Sequence, residues 1–440
     1  MFARGGAANA VDDRSWLAAM LDVEAALARV CARHDLCPAE AAEAITDATA
    51  DVSRFDIDAM GREAGQTGTP VLALVRALRV AVGDVYAPYV HLGATSQDIV
   101  DTAAMLVSRR ALEPILADAG LAADACATLA IEHRETVMVG RTLLQPALPT
   151  TFGLRVAGWM VGLDETRATL RAVREHALAV QMGGGVGTLA AFGDKGLAIA
   201  ADLAAELELP EPTLPWHTIR NRPAALAGAL GAMSGVLSKI AGDVVLMTQG
   251  EVGELREGGG AGRGASSAMP QKRNPVAAVM ATACGRRVPG LVAGLLGAMA
   301  QELERAAGAW QSEAATLSEL LRVVGAQVAW VRDLLENLDV DVERMRANVE
   351  AAGDLLMAES VVTALTPHVG LVQARSLVDR AVARVKEGDV TLGQALRSNV
   401  DVVDALGADG IDAALAPDEY LGVSGELIDR ALAAHRATAV

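Results

Sequence analysis

The chain has 440 residues, of which 52% are hydrophobic and only 3% aromatic, with alanine and leucine dominating the apolar set. That is enough for a large core, and it favours helices because these side chains give up little freedom in them. A formal charge of −17 repels phosphate backbones and argues against nucleic acid as a partner. Cys31, Cys37, Cys126 and Cys284 form no CxxC pair and have no zinc spacing, so they read as free buried thiols in a reducing compartment.

From the start, MFARGGAANAVDDRS has no apolar signal-peptide core, and the longest clean apolar run, Val288 to Ala300, is too short to span a bilayer. Both point to the cytoplasm and to no membrane partner. Leu17, Met20, Leu21, Glu24 and Leu27 then begin a helix capped by Asp12 or Asp13. Breaks follow at 65–70 (GQTGTP) and 86–93 (YAPYVHLG). Helical periodicity returns from Ala103 to His133 and from Phe152 to Val180. After a third break at 183–187 (GGGVG) and Pro210 to Pro215, the segment from Arg222 to Glu257 is nearly all apolar, as befits the centre of a bundle. A glycine-rich stretch from Gly258 to Pro275 makes the fourth break. Strand signals are nearly absent. The pattern predicts an all-α protein with an elongated central bundle, divided into an N-terminal helical domain over 1–104, the bundle over 105–349, and a small helical C-terminal domain over 350–440.

Four segments carry groups suited to chemistry. In His91 to Asp98 (HLGATSQD), Thr95 and Ser96 stand just before a helix. Short hydroxyls and free backbone N–H groups there make an anion site, or an ordinary helix cap. Gly140 to Gly153 (GRTLLQPALPTTFG) carries Arg141, Thr142 and Gln145. Pro215 to Arg222 (PWHTIRNR) gathers His217, Arg220 and Arg222 into a local basic cluster, which in an acidic protein suits an anionic ligand or is simply a charged helix start. In GGGAGRGASSAMPQKRNP the glycines give a mobile loop. It delivers Ser266 and Ser267 beside Lys272, with Asn274 as helix N-cap and Pro275 as first helical residue. Lysine and helix start both favour a carboxylate and the extra charge of an enolate-like state. The bland reading is a flexible linker ending in a cap. Arg263 suits a lid residue, and Glu251 and Glu254 suit anchoring the loop or pairing with an arginine. His34, His133, His176, His368 and His435 read as structural or surface residues.

SSAMPQKRNP resembles the signature of the fumarase/aspartase superfamily. HLGATSQD, GRT…LPTTFG, GTLAAFGDKG, PWHTIRNR and AESVVTALTPHVG extend the likeness over nearly the whole chain, closest to its bacterial 3-carboxy-cis,cis-muconate cycloisomerase branch. The resemblance implies a three-domain, all-α, cytoplasmic homotetramer whose active sites each draw on three subunits. It implies a small polycarboxylate substrate and neither metal nor organic cofactor. Ser266 would be the catalytic base with Lys272 beside it. His91, Thr95, Ser96, Arg141, Thr142, Gln145, His217, Arg220, Met269 and Asn274 would bind substrate. Ala265 stands where the family usually has glycine. Leu143 stands where adenylosuccinate lyases have a histidine linked to protonating the leaving group. Leucine transfers no proton, which suits a leaving group that departs as a stable anion, such as a carboxylate with a reference pKa of about 4. Cycloisomerisation of a carboxymuconate in aromatic catabolism fits. An adenylosuccinate-like or nitrosuccinate-like elimination is the alternative within the superfamily, and a helical scaffold without activity the alternative outside it.

Overall fold

The structure, a computed structural model, describes residues 4–260, 262–388 and 390–438. Of the sequence features above, the first three residues of the N-terminal segment, Ala261 of the glycine-rich stretch and Asp389 of the C-terminal region lie outside the described residues.

The fold is all-α. The first long helix, Asp13–Arg33, starts where Asp12 accepts a hydrogen bond from the Ser15 N–H at 2.7 Å, which satisfies one of the donors a helix start leaves open. Ser96–Glu132, Phe152–His176 and Asn221–Met247 are the long helices the periodicity predicts. The chain forms two compact units. In the first (1–121, 165–241 and 279–332), helix Asp13–Arg33 buries Ala26, Leu27, Val30 and Cys31 against Val180, Met182, Phe192, Ile199 and Leu203. In the second (122–164, 242–278 and 333–440), C-terminal helices bury Val361, Leu365, Leu377, Leu396 and Ile411 together.

Two antiparallel ribbons in the second unit correct the expectation that strands are nearly absent. Val137–Thr142 pairs with Gln145–Thr151, and Leu255–Glu257 with Leu338–Val340. The first ribbon packs Val137 and Val139 on Val349. Gly140 sits at its register shift, where a Cβ would meet the Leu148 carbonyl oxygen at 2.3 Å. The two-residue turn between Thr142 and Gln145 is made by Leu143 (φ 50°) and Leu144 (φ 64°). Both are left-handed, a conformation that suits glycine or asparagine and strains leucine.

All four cysteines are free and buried. Burial pushes the Cys31 thiol up to about 12, with the charges of Cys37 and Glu24 adding to the shift. One expectation changes with the length of the helices: Ser96–Glu132, Asn221–Met247 and Val276–Gly297 are long and apolar enough to cross a membrane by length and composition. Their most apolar stretches are only 44%, 50% and 33% buried within the chain.

Candidate active site

The first unit holds a buried ionic network built on one helix start. Asp98, in the first turn of Ser96–Glu132, is fully buried. Its carboxylate accepts from the backbone N–H groups of Thr95 (2.9 Å), Gly183 (3.0 Å) and Gly184 (2.9 Å), and from His217 Nε2 at 2.7 Å. Gly183 is required there, because a Cβ would stand 2.7 Å from His217 Cε1. Asp98 therefore ties the GGGVG segment and PWHTIRNR to the Thr95–Ser96 helix start. It also takes up the Thr95 N–H, leaving the Thr95 and Ser96 hydroxyls without a partner among the described residues.

One turn further along, Asp101 and Glu313 clamp Arg220. The guanidinium donates to Asp101 at 2.8 and 2.9 Å and to Glu313 at 2.9 and 2.5 Å. It lies over the Trp216 ring, 4.7 Å from its centroid. Burial disfavours the charged guanidinium, but the two carboxylates outweigh it and raise its pKa. Burial raises the Glu313 carboxyl above its usual value although Arg220 opposes this. Arg220, expected to meet substrate, is thus committed within the fold. Arg222 donates to the carbonyls of His176 and Ala177, so the basic cluster seen in sequence does not present two free cations.

His91 (φ 64°) bonds through Nδ1 to buried Glu24 at 2.6 Å. Burial opposes its charge, yet the hydrogen bond and charge of Glu24, with Asp98, raise its pKa above the ordinary histidine value. Sequence reasoning missed Arg305, which donates to the carbonyls of Gly184 and Gly185 at 2.7 and 2.9 Å. Burial lowers its pKa against the pull of Asp98 and Asp101. A cavity of about 730 Å³ in this unit is lined by Trp16, Met60 and Trp310 on one side and reaches Asp101 and Glu313. Carboxylates outnumber guanidiniums in its lining, which makes it a poor receptor for a polycarboxylate.

The second unit carries the hairpin and the glycine-rich loop. Arg141 forks onto both oxygens of buried Glu254, at 2.9 and 2.6 Å, and Asn348 donates to the same carboxylate at 2.8 Å. Glu254 thus pairs with an arginine, as its position suggested, and the pair holds the hairpin one residue short of its tip. At the tip Thr142, Leu143, Leu144 and Gln145 are all exposed, Leu143 at 97%. Arg155, another missed cation, has its pKa lowered by burial, with the Asp243 charge opposing.

The loop is folded rather than a free linker. Ala265 and Arg273 form an isolated β-bridge. The Asn274 backbone N–H and side-chain Nδ2 donate to the Gly264 carbonyl at 2.8 and 3.1 Å. A Cβ at Gly264 (φ 67°) would meet the Asn274 carbonyl oxygen at 2.4 Å. Ser266 is half-buried, and its Oγ accepts from the backbone N–H groups of Ala268 (3.3 Å) and Met269 (3.2 Å). Donors aimed at that oxygen favour its deprotonated form. Lys272 is exposed, and its ammonium has no acidic partner among the described residues. Met269 is exposed beside it.

Two expectations about the loop change. The helix is Val276–Gly297, and its cap is Glu257, whose carboxylate accepts from Ala277 and Ala278 N–H at 3.0 and 2.8 Å. Glu257 lies far from the loop's end in sequence, so the local reading gave that cap to Asn274. An anion already occupies this helix start. Arg263 pairs with Asp333 at 2.8 Å and Glu257 at 3.3 Å, which makes it a strut of the loop and not a lid. Among the described residues no cluster of three or more His, Cys, Asp or Glu stands where it could hold a metal ion.

The family described as Lyase matches this chain over residues 7–290. A 3-carboxy-cis,cis-muconate cycloisomerase of Bradyrhizobium diazoefficiens is 45% identical over 96% of this chain and 94% of its own length. A nitrosuccinate lyase of Streptomyces davaonensis is 43% identical over 96% of this chain and 91% of its own. The crystal structure of the 3-carboxy-cis,cis-muconate lactonizing enzyme from Pseudomonas putida superposes with a TM-score of 0.90 at 37% identity, covering 98% of this chain and 96% of that one.

Proposed function

This chain belongs to the lyase family of the fumarase/aspartase superfamily, and from that premise we propose that it is an enzyme interconverting 3-carboxy-cis,cis-muconate and 4-carboxymuconolactone in aromatic catabolism. The observation that carries this reading is a serine oxygen that accepts from two backbone N–H groups in the same loop as Lys272, a lysine with no acidic partner among the described residues, in a chain with leucine where an acid-dependent lyase keeps histidine. In the ring-opening direction Ser266, as alkoxide, takes the proton α to a carboxylate. The C–H electron pair becomes the new double bond, the ring C–O bond breaks, and its pair leaves on the carboxylate oxygen. Lys272 stabilises the negative charge that builds on the substrate carboxylate as the proton leaves; removal of one such preorganised group typically adds about 2.7–4 kcal/mol to the barrier. A carboxylate leaves without being protonated, so Leu143 is no obstacle. Thr95, Ser96, His91, Thr142, Gln145 and Met269 would contact the substrate, with Asn274 shaping the loop around Ser266 and Arg141 shaping the hairpin.

The assembly is a homotetramer in the cytoplasm with active sites shared between subunits. The apolar helices support this, since each leaves half or more of its most apolar stretch uncovered by its own chain. The second reading is elimination of nitrite from nitrosuccinate, favoured by the 43% identical relative and by nitrite leaving as an anion too. A substrate panel with purified protein separates them. Loss of carboxymuconate ultraviolet absorbance as lactone forms supports the first reading; turnover of nitrosuccinate or a succinyl compound with none of carboxymuconate overturns it.

A further inference from the structure

We propose that buried Glu24 is the positioning residue for His91, holding the imidazole by Nδ1 so that Nε2 donates to a carboxylate of the substrate. The inference rests on the polycarboxylate reading above, in which His91 contacts substrate. It adds the group that decides whether that contact attracts or repels.

The two ring nitrogens have opposite surroundings. Glu24 lies within helix Asp13–Arg33 with its side chain 1% exposed, and its Oε1 meets His91 Nδ1 at 2.6 Å. The His91 side chain keeps 16% of its surface open. Its Nε2 has no hydrogen-bond partner among the described residues, and it is not one of the side-chain nitrogens that the fold seals from solvent without one. One nitrogen is therefore fixed inside and the other is open to a ligand. The loop beneath the ring is rigid. Leu92 and Ala94 pack on the cluster that holds Leu27, Val30 and Phe192. Gly93 (φ 71°) has no room for a Cβ, which would stand 2.4 Å from the Phe192 ring. His91 itself is left-handed (φ 64°), an uncommon conformation outside glycine and one that tertiary contacts must hold. A carboxylate that fixes one imidazole nitrogen so that the far one can work is a recurring arrangement.

The charge of the ring decides what Nε2 can do. An anionic carboxylate only accepts, so the proton of the Glu24 bond belongs to Nδ1. A neutral ring then has a bare Nε2, whose lone pair repels a substrate carboxylate. The imidazolium has an N–H there and makes a charge-assisted bond to it. The charges acting on the ring come from three helices: Glu24 on Asp13–Arg33 and Asp98 on Ser96–Glu132 favour the imidazolium, and Arg79 on Val71–Val82 opposes it. Burial is the largest influence and also opposes it, yet the two carboxylates outweigh both and raise the His91 pKa, Glu24 through a hydrogen bond as well as its charge. Cys31, on the same helix as Glu24, is a thiol pushed up to about 12 and adds no charge of its own at neutral pH. Asp98 bonds to backbone amides and His217, so Glu24 is the carboxylate that touches His91 directly.

The test is the pH dependence of KM and kcat for lactone ring opening, from pH 6 to 9, in wild type, Glu24→Gln, Glu24→Asp and His91→Gln. Substrate carboxylates are ionised throughout that range, so a change in KM there reports the protein. Wild-type KM should rise as pH climbs through the imidazolium titration. Glu24→Gln still accepts from Nδ1 but has no charge, so its rise should begin at lower pH. At pH 8 its KM should be about tenfold above wild type, as expected when a charge-assisted bond is lost, with kcat within about threefold. The gap should narrow as pH falls. Glu24→Asp should restore most of the wild-type profile, and His91→Gln should show a raised KM without a pH limb. A Glu24→Gln protein of native circular dichroism with wild-type KM across the range would overturn the proposal. So would equal losses in Glu24→Gln and Glu24→Asp that are the same at every pH, the mark of a purely structural residue. A wild-type KM that stays level from pH 6 to 9 would overturn it too, and needs no variant to fold. Wild-type turnover of nitrosuccinate alone would instead defeat the cycloisomerase reading, and the same proteins would then be scored on the KM for nitrosuccinate.

Discussion

The Asp98–Arg220 network and the Ser266 loop carry charged groups in opposite ways. In the network the charges are buried and matched: Asp98 by five donors, the Gln181 amide included, and Arg220 by two carboxylates. In the loop, among the described residues, Lys272 is exposed with no acidic partner, and Ser266 is held by long bonds from two backbone N–H groups. The first region is bound by its own partners and has little left to give a ligand. The second has its struts at the base, in Arg263, Glu257 and Asn274, and leaves its reactive groups uncommitted. Mutations should therefore separate stability from activity cleanly between them.

The largest effect belongs to the loop. Ser266→Ala should lower kcat by about 10³-fold, within the range for loss of a proton-transfer group, and shift unfolding by no more than about 0.5 kcal/mol, as for a substitution away from the core. Steady-state kinetics with a denaturant midpoint measures both. A substantial fall in stability would break the comparison by making Ser266 structural.

Arg220→Met should do the reverse and cost about 3–5 kcal/mol, the penalty for stranding buried carboxylates. Its pH dependence sharpens the contrast. The Glu313 carboxyl is already raised by burial, and without the guanidinium it rises further. A carboxyl raised in the folded state binds protons that the unfolded chain has released, so stability falls as pH climbs from the ordinary carboxylate value through the raised one. The deficit of Arg220→Met should thus be larger at pH 8 than at pH 5 in denaturant melts. A deficit equal at both would mean that the carboxylates are not stranded.

Sequence exposed the helices because their signals are local. Asp12 caps Asp13–Arg33, and apolar residues at helical spacing mark Ser96–Glu132 and Asn221–Met247. The hairpin was hidden because its turn is made by Leu143 and Leu144, residues that carry no turn signal and adopt left-handed angles only under tertiary constraint. The site was half legible. The loop's serine and lysine stand out by composition, but the partners that decide a charge's role are distant in sequence. Glu313 lies 93 residues from Arg220, Glu254 lies 113 from Arg141, and Asp98 lies 119 from His217. Arg220 therefore read as a free cation and Asn274 as a cap, when Asp101 with Glu313 claims the first and Glu257 replaces the second.

The most direct measurement is a crystal structure of the Ser266→Ala protein with 4-carboxymuconolactone bound. The account predicts the Lys272 ammonium on a lactone carboxylate, with the Cβ of residue 266 facing the carbon that loses its proton. Lactone seated with Lys272 and residue 266 both turned away from it would contradict the account.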